Sequence, residues 1–190
     1  MFPRAPFVKR ALGKEDRIVI GTLRRLLPEK RIEDFIRATV RIQGKIDSFF
    51  VVGGEEFHCP HLERLSRELR LADMMFFGRI ADASLFHRLY DVFVLTSVGE
   101  GLSMSLQEIM ATGCVLVAVD SFGCPEVITD GVNGYIFRPR DVEGLTEKVL
   151  QAASNLRLGR KAKETIVRYF SLDEGVKRYL NLYRELSPGP

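Results

Sequence analysis

Two clusters carry side chains whose types and spacing suit binding chemistry. The first is Arg24-Arg-Leu-Leu-Pro-Glu-Lys-Arg31, with cations at both ends of the segment. Between a strand and the following helix, Arg25 and Lys30 would stand at a helix N-terminus, where the helix dipole and unbonded amides already attract an anion. The second is Glu100-Gly-Leu-Ser-Met-Ser-Leu-Gln-Glu108. A helix starting near Ser103 would carry Glu108 a turn or more inside it, with Glu100 and the amides of Gly101, Leu102 and Ser103 at its mouth. A carboxylate held on a helix can accept two hydrogen bonds from a vicinal diol such as ribose, and the amides can hold hydroxyls or phosphate. Solvated loops and helices carry similar charges, so the decision rests on where these clusters fall. A third group, His58-Cys-Pro-His61, offers metal ligands. Residues this close together rarely converge on one ion, and no further His or Cys lies nearby in sequence, so no metal site is expected.

The elements that must position these clusters show in the apolar runs. Arg17-Ile-Val-Ile-Gly21, Ser48-Phe-Phe-Val-Val-Gly53, Asp91-Val-Phe-Val-Leu95 and Cys114-Val-Leu-Val-Ala-Val119 are continuous rather than alternating. Strands buried on both faces read that way. Met74-Met-Phe-Phe77 and Gly134-Tyr-Ile-Phe137 bring the candidates to six. Helical patterns lie between them; in Ile32–Arg41 one face would carry Ile32, Phe35, Ile36, Thr39 and Val40. Three helices are expected from Asp141 onward, the last opened by a capping box, Ser171-Leu-Asp-Glu174. The expected fold class is α/β: a Rossmann-like, doubly wound parallel sheet of about six strands with helices on both faces. Ligands of such sheets sit beyond the carboxyl ends of the strands, where both clusters fall. Residues 1–16 read as a lead-in segment, 17–186 as one Rossmann-like domain and 187–190 as a frayed tail.

The chain has 190 residues, 28 Lys+Arg, 25 Asp+Glu and 46% hydrophobic residues, the make-up of one ordinary domain. Three cysteines, an odd count without framework spacing, favour a reducing compartment. No apolar stretch approaches the roughly 20 residues that span a bilayer, and the start at Met1-Phe-Pro-Arg4 lacks a signal-like apolar run, so a cytoplasmic location is expected. The net charge of +3 hides a segregation of +7 over residues 1–45, −8 over 46–150 and +4 thereafter. A basic opening segment can attract phosphate, nucleic acid or an anionic membrane, although solvated helix faces account for most such groups. Several chemistries are disfavoured: no Gly-x-Gly-x-x-Gly follows the first strand, and neither a Walker-type Gly-Lys-Ser/Thr nor a Gly-x-Ser-x-Gly elbow occurs.

A series of motifs in fixed order adds to this reading. Arg25-Leu-Leu-Pro-Glu-Lys30, Val51-Val-Gly53, Phe76-Phe-Gly78-Arg-Ile80, Asp91-Val-Phe-Val-Leu-Thr-Ser97, Glu100-x7-Glu108-Ile-Met-Ala-Thr-Gly113, Gly123-Cys-Pro-Glu126 and Asp130-Gly-Val-Asn-Gly134 run from end to end. The chain thereby resembles the C-terminal, donor-binding domain of retaining GT-B glycosyltransferases of family 4. The resemblance implies sugar transfer from a nucleotide-diphosphate sugar, with no required cofactor and no metal in the site. It implies that Arg25 and Lys30 neutralise the donor diphosphate and that Gly78, Arg79 and Ile80 line the base pocket. Glu100, with Gly101, Leu102 and Ser103, would hold the donor sugar, and Glu108 the ribose hydroxyls.

The chain departs from the family pattern at particular positions. Arg24 and Arg31 stand where glycine is usual, Leu102-Ser103 replaces Phe-Gly, Thr96 replaces proline and Phe122 opens a usual Gly-Gly pair. A complete enzyme of this kind has a second, N-terminal domain that binds the acceptor. The implied partners are thus a nucleotide sugar and an acceptor-binding domain or separate subunit, with no nucleic acid; peripheral membrane association would run through the missing domain. The alternatives are a non-catalytic nucleotide-sugar-binding module or another GT-B enzyme such as an epimerase. A phosphorylase would need a lysine-bound cofactor, and no lysine lies between Thr96 and Glu126.

Overall fold

The computed structural model describes residues 9–10, 13, 16–55, 58–99, 104–121 and 123–187. In chain order the elements are β1 (Ile18–Leu23), a 3-10 turn (Pro28–Lys30), α1 (Ile32–Ile42), β2 (Ser48–Gly53), α2 (Cys59–Glu68), β3 (Met74–Phe77), α3 (Ala83–His87) and β4 (Val92–Leu95). There follow α4 (Met104–Thr112), β5 (Val115–Val119), α5 (Cys124–Val127), β6 (Tyr135–Phe137), α6 (Val142–Ser154), α7 (Leu158–Tyr169) and α8 (Leu172–Leu186). The strands form one six-stranded sheet in the order β3-β2-β1-β4-β5-β6. Every neighbouring pair is parallel. All six strands fall within two residues of their expected positions.

Two-sided burial explains the continuous apolar runs. Successive residues of a strand point to opposite faces, so Val19, Phe49, Val51 and Phe93 enter one core cluster and Ile20, Phe50, Val52 and Val94 the other. Helices α1, α2 and α6 cover the second cluster through Phe35, Leu62, Leu145 and Val149. Helices α4 and α7 cover the first through Leu106, Ile109, Ala162 and Ile166. Gly21 in β1 allows close packing: a Cβ there would stand 2.0 Å from the Val51 carbonyl and 2.6 Å from the Tyr90 ring. Tyr90 is itself buried and donates to the Thr22 carbonyl at 3.0 Å.

One expected contact is corrected. Ile32, Phe35, Ile36 and Thr39 of α1 are buried, but Val40 is 39% exposed, while Ala38 and Ile42 join the core instead. At ~100° per residue the buried stripe centres between Phe35 and Thr39, which leaves Val40 about 120° away.

Several motif residues prove to be structural. The buried Asp91 carboxylate accepts from the Val19 amide at 2.9 Å and pairs with Lys9, whose ammonium also donates to the Arg17 carbonyl at 3.1 Å. Asn133 accepts from the Thr129 amide at 2.7 Å and donates to the Val127 carbonyl and Thr165 Oγ1, pinning the Asp130–Gly134 turn to α7. The caps are in place: Asp141 accepts from Gly144 N at 2.8 Å, and Ser171 Oγ from Glu174 N at 3.3 Å. No residue of α8 is buried. Among the described residues, no helix is long and apolar enough to cross a membrane.

Candidate functional site

In this strand order the winding reverses between β1 and β4, and the crevice beyond their carboxyl ends is the place where open α/β sheets bind ligands. The loops after these two strands are tied together, because Thr96 Oγ1 donates to the Lys30 carbonyl at 2.6 Å. Farther along, Gly99 N donates to Ser121 Oγ at 3.2 Å, joining the loop after β4 to that after β5. The 3-10 turn begins at Pro28, whose fixed φ suits a first helical position, and ends at Arg31 in the left-handed region, φ 51° and ψ 43°. The Arg31 guanidinium folds onto the first turn of α1 and donates to both Asp34 carboxylate oxygens, at 2.8 and 3.0 Å.

A cleft of about 360 Å³ opens beside this turn, lined by Leu23, Arg24 and Arg25 after β1, Gly54 and Glu55 after β2, and Arg79 and Ile80 after β3. Three arginines against one glutamate give it a positive balance suited to a polyanion. The fold thus brings together Arg25, expected at a diphosphate, and Arg79 and Ile80, expected at a base. Arg25 and Arg79 are exposed, and Ile80 is half-buried against the core. Gly78 is exposed and stands just outside the cleft lining; its carbonyl accepts from Gly54 N at 3.3 Å, alongside that of Phe77 at 3.0 Å. Gly54 has φ 131°, and a Cβ on it would stand 1.8 Å from the Arg24 carbonyl. Only glycine lets the two loops approach this closely.

Lys30 closes the 3-10 turn and is half-buried. Glu108 projects from the middle of α4 and is exposed. Its neighbour is His87 of α3, with Nδ1 at 3.6 Å from Glu108 Oε2. That distance is longer than a hydrogen bond, and an ion pair forms only when the imidazole is protonated. Burial pushes the His87 pKa down, with Asp82 pulling weakly the other way, so the ring is neutral at pH 7. Glu100, Gly101, Leu102, Ser103 and Phe122 lie outside the described residues. Helix α4 begins at Met104, one residue beyond the expected start.

Three residues escaped the sequence reading as contributors. Glu55 and His87 lack any local motif, and Glu33, in the first turn of α1, stands against His58 and His61 only through tertiary packing. A pattern search could have marked Glu55, which directly follows a strand and a Gly-Gly pair. A larger cavity of about 580 Å³ between α1 and α6 includes Arg41, Lys45, Glu143 and Leu150 but none of the expected site residues.

Poly(ribitol-phosphate) alpha-N-acetylglucosaminyltransferase of Staphylococcus aureus is 26% identical over 172 residues, 87% of this chain and 35% of that protein. A crystal structure of a point mutant of S. aureus TarM in complex with fondaparinux, alpha-GlcNAc-glycerol and UDP superposes with a TM-score of 0.81 at 25% identity, covering 88% of this chain and 35% of that one. The C-terminal domain of the glycosyl transferase group 1 family protein LpcC from Francisella tularensis shares the fold, with a TM-score of 0.77 and 24% identity over 90% of this chain and 96% of that one. The chain spans about a third to a half of the length of the curated relatives it matches. Residues 5–166 match the family described as Glycosyl transferases group 1. From the matched residues and the six-stranded architecture together, the chain belongs to the glycosyl transferases group 1 family.

Proposed function

We propose that this chain is the donor-binding domain of a retaining glycosyltransferase that uses a nucleoside-diphosphate sugar, and that the acceptor is held by a second domain or subunit. The carrying observation is the convergence of Arg24, Arg25, Arg79 and Ile80 in one cleft at the carboxyl ends of β1 to β3, beside the tied Lys30 turn. In this reading Arg25 and Lys30 stabilise the charge that grows on the leaving diphosphate as the glycosyl bond breaks. Gly78, Arg79 and Ile80 border the base, Glu108 accepts from the ribose hydroxyls, and Glu100 with the amides of Gly101, Leu102 and Ser103 holds the donor sugar. The presence of UDP in the TarM complex supports a nucleotide as the ligand in this reading. No resident cofactor or site metal has a role in this scheme.

The exposed apolar side chains of α8, Leu172, Val176, Tyr179, Leu180, Tyr183 and Leu186, suit contact with an acceptor-binding half. The relatives' greater length supports the same partner. A cytoplasmic location, with any membrane contact made through that half, completes the proposal. The experiment is a thermal-shift panel of uridine, guanosine and adenosine diphosphates and their sugars, repeated with Lys30→Ala and Arg25→Ala. A ligand at 100 times its Kd stabilises by about 2.7 kcal/mol, a shift of several degrees. Each substitution is expected to weaken the diphosphate more than the bare nucleoside, and the difference should shrink with added salt. Equal losses for both ligands would remove the turn from the diphosphate site.

A further inference from the structure

Glu33, His58 and His61 come from two helices that start side by side. Glu33 lies in the first turn of α1, three residues beyond Lys30, while His58 caps α2 and His61 lies within its first turn. One donor atom from each lies within 4.8 Å of the other two. Glu33 Oε1 contacts His58 Nε2 and stands 3.8 Å from His61 Nε2, so both imidazoles address one carboxylate oxygen. The rings lie 4.7 Å apart at 33°.

We propose that Glu33, His58 and His61 bind a divalent ion of the zinc class, separate from the donor cleft and independent of its function. Two imidazoles and a carboxylate form a mixed nitrogen and oxygen set that suits zinc, with water as the fourth ligand; calcium and magnesium prefer oxygen alone. A tetrahedral ion with bonds of about 2.0 to 2.2 Å holds its ligands roughly 3.3 Å apart, so modest side-chain rotation converts the present cluster into a coordination shell. Pro60 stands between the histidines in the first turn of α2 and fixes the backbone that spaces them. Cys59 is not a ligand in this arrangement, because its thiol turns along the helix to Glu63, Sγ to Oε1 3.7 Å. The ion would clip the start of α1, just past the Lys30 turn, to the start of α2. The unfolded chain keeps only the histidine pair in proximity, so the ion favours the folded state.

The site can be tested without any nucleotide. His58, His61 and His87 are the only histidines in the chain, and His87 is 2% exposed, so histidine-dependent binding isolates this cluster. The tag-free 190-residue chain, stripped with a chelator, would be titrated with zinc chloride by calorimetry and by competition with a chromogenic chelator. The expected result is one ion per chain at micromolar Kd, with a melting temperature raised by several degrees. Cobalt(II) in place of zinc should give the intense visible absorption of a tetrahedral site. His61→Ala and Glu33→Gln should each weaken binding at least tenfold and abolish the cobalt band, while Cys59→Ser leaves both unchanged. His61 is 55% exposed, so its replacement spares the fold. Absence of zinc binding at 100 times that micromolar range, undiminished binding in Glu33→Gln, or loss of binding in Cys59→Ser would each overturn the proposal.

Discussion

At Arg31 the protein holds a bulky residue where the backbone favours glycine. A left-handed conformation costs an ordinary residue roughly 1 to 2 kcal/mol, and the forked contact with Asp34 offsets part of it. Arg31→Gly removes the strain and the ion pair together, so its unfolding free energy should stay within about 1 kcal/mol of wild type. Arg31→Ala loses the pair and keeps the strain. Urea midpoints should therefore rank Arg31→Ala below Arg31→Gly by the equivalent of about 1 kcal/mol, and a reversed order would show that the αL strain is negligible. His87 supplies a pH signature. Burial lowers its folded pKa, so the unfolded chain takes up the proton first, and stability is full above about pH 6.5 and falls as pH drops below it. His87→Gln should flatten this part of the profile, below about pH 6.5. The proposed ribose contact of Glu108 is read by a cycle of two proteins and two ligands. Wild type should prefer the ribonucleotide over its 2′-deoxy counterpart by about tenfold, since a charged hydrogen bond contributes roughly 1.5 to 3 kcal/mol. Glu108→Gln should collapse that preference, and an unchanged ratio would place Glu108 away from the sugar.

Among the elements, α7 and α8 differ sharply in attachment although both follow the sheet. The first turn of α7 contains Gly159, where an added Cβ would stand 1.9 Å from the Gly113 carbonyl just past the end of α4. Because the obstacle is backbone rather than a flexible side chain, Gly159→Ala must push two helices apart. The expected loss is about 2 kcal/mol or more, measured by denaturant unfolding. Helix α8 has a sound cap at Ser171 and no buried residue. Ser171→Ala should thus speed amide exchange along α8, by the ~1 kcal/mol typical of a lost cap, and leave the global unfolding midpoint nearly unchanged. A matching fall in global stability would mean that α8 unfolds with the core.

For the whole molecule, the proposed function makes the sheet one wall of a site. The cleft at 24–25, 54–55 and 79–80 meets the chemistry of a nucleoside diphosphate, and the proposed acceptor half supplies the opposing wall. The chain by itself should accordingly bind a nucleoside diphosphate and transfer no sugar, as measured with labelled donor and a panel of acceptors. Transfer by the purified chain alone would show that these residues suffice for the reaction. The crystal structure of an LpcC C-terminal domain with this fold indicates that such a unit can be prepared alone, which makes the binding half of the prediction measurable.

The amino-acid sequence by itself determined the class and order of the elements. Its six apolar runs, continuous because both faces of each central strand are buried, marked the strands, and Asp141 and Ser171 marked helix starts through local backbone chemistry. It also drew attention to Arg25, Lys30, Arg79 and Ile80, because each lies in the segment that follows a strand, and to Glu108, because it lies a turn inside the helix that follows the fourth strand. Tertiary structure decided what sequence distance conceals. The strand order set β1 beside β4 and so joined Thr96 to Lys30 across 66 positions. Packing of α1 against α2 set Glu33 on the two histidines, the placing of α1 on the sheet turned Val40 outward, and the meeting of α3 with α4 put His87 beside Glu108. Local pattern reports which residues must be buried or capped; which partners meet depends on the order of strands in the sheet and the packing of helices over it, and neither is encoded in any short stretch of chain.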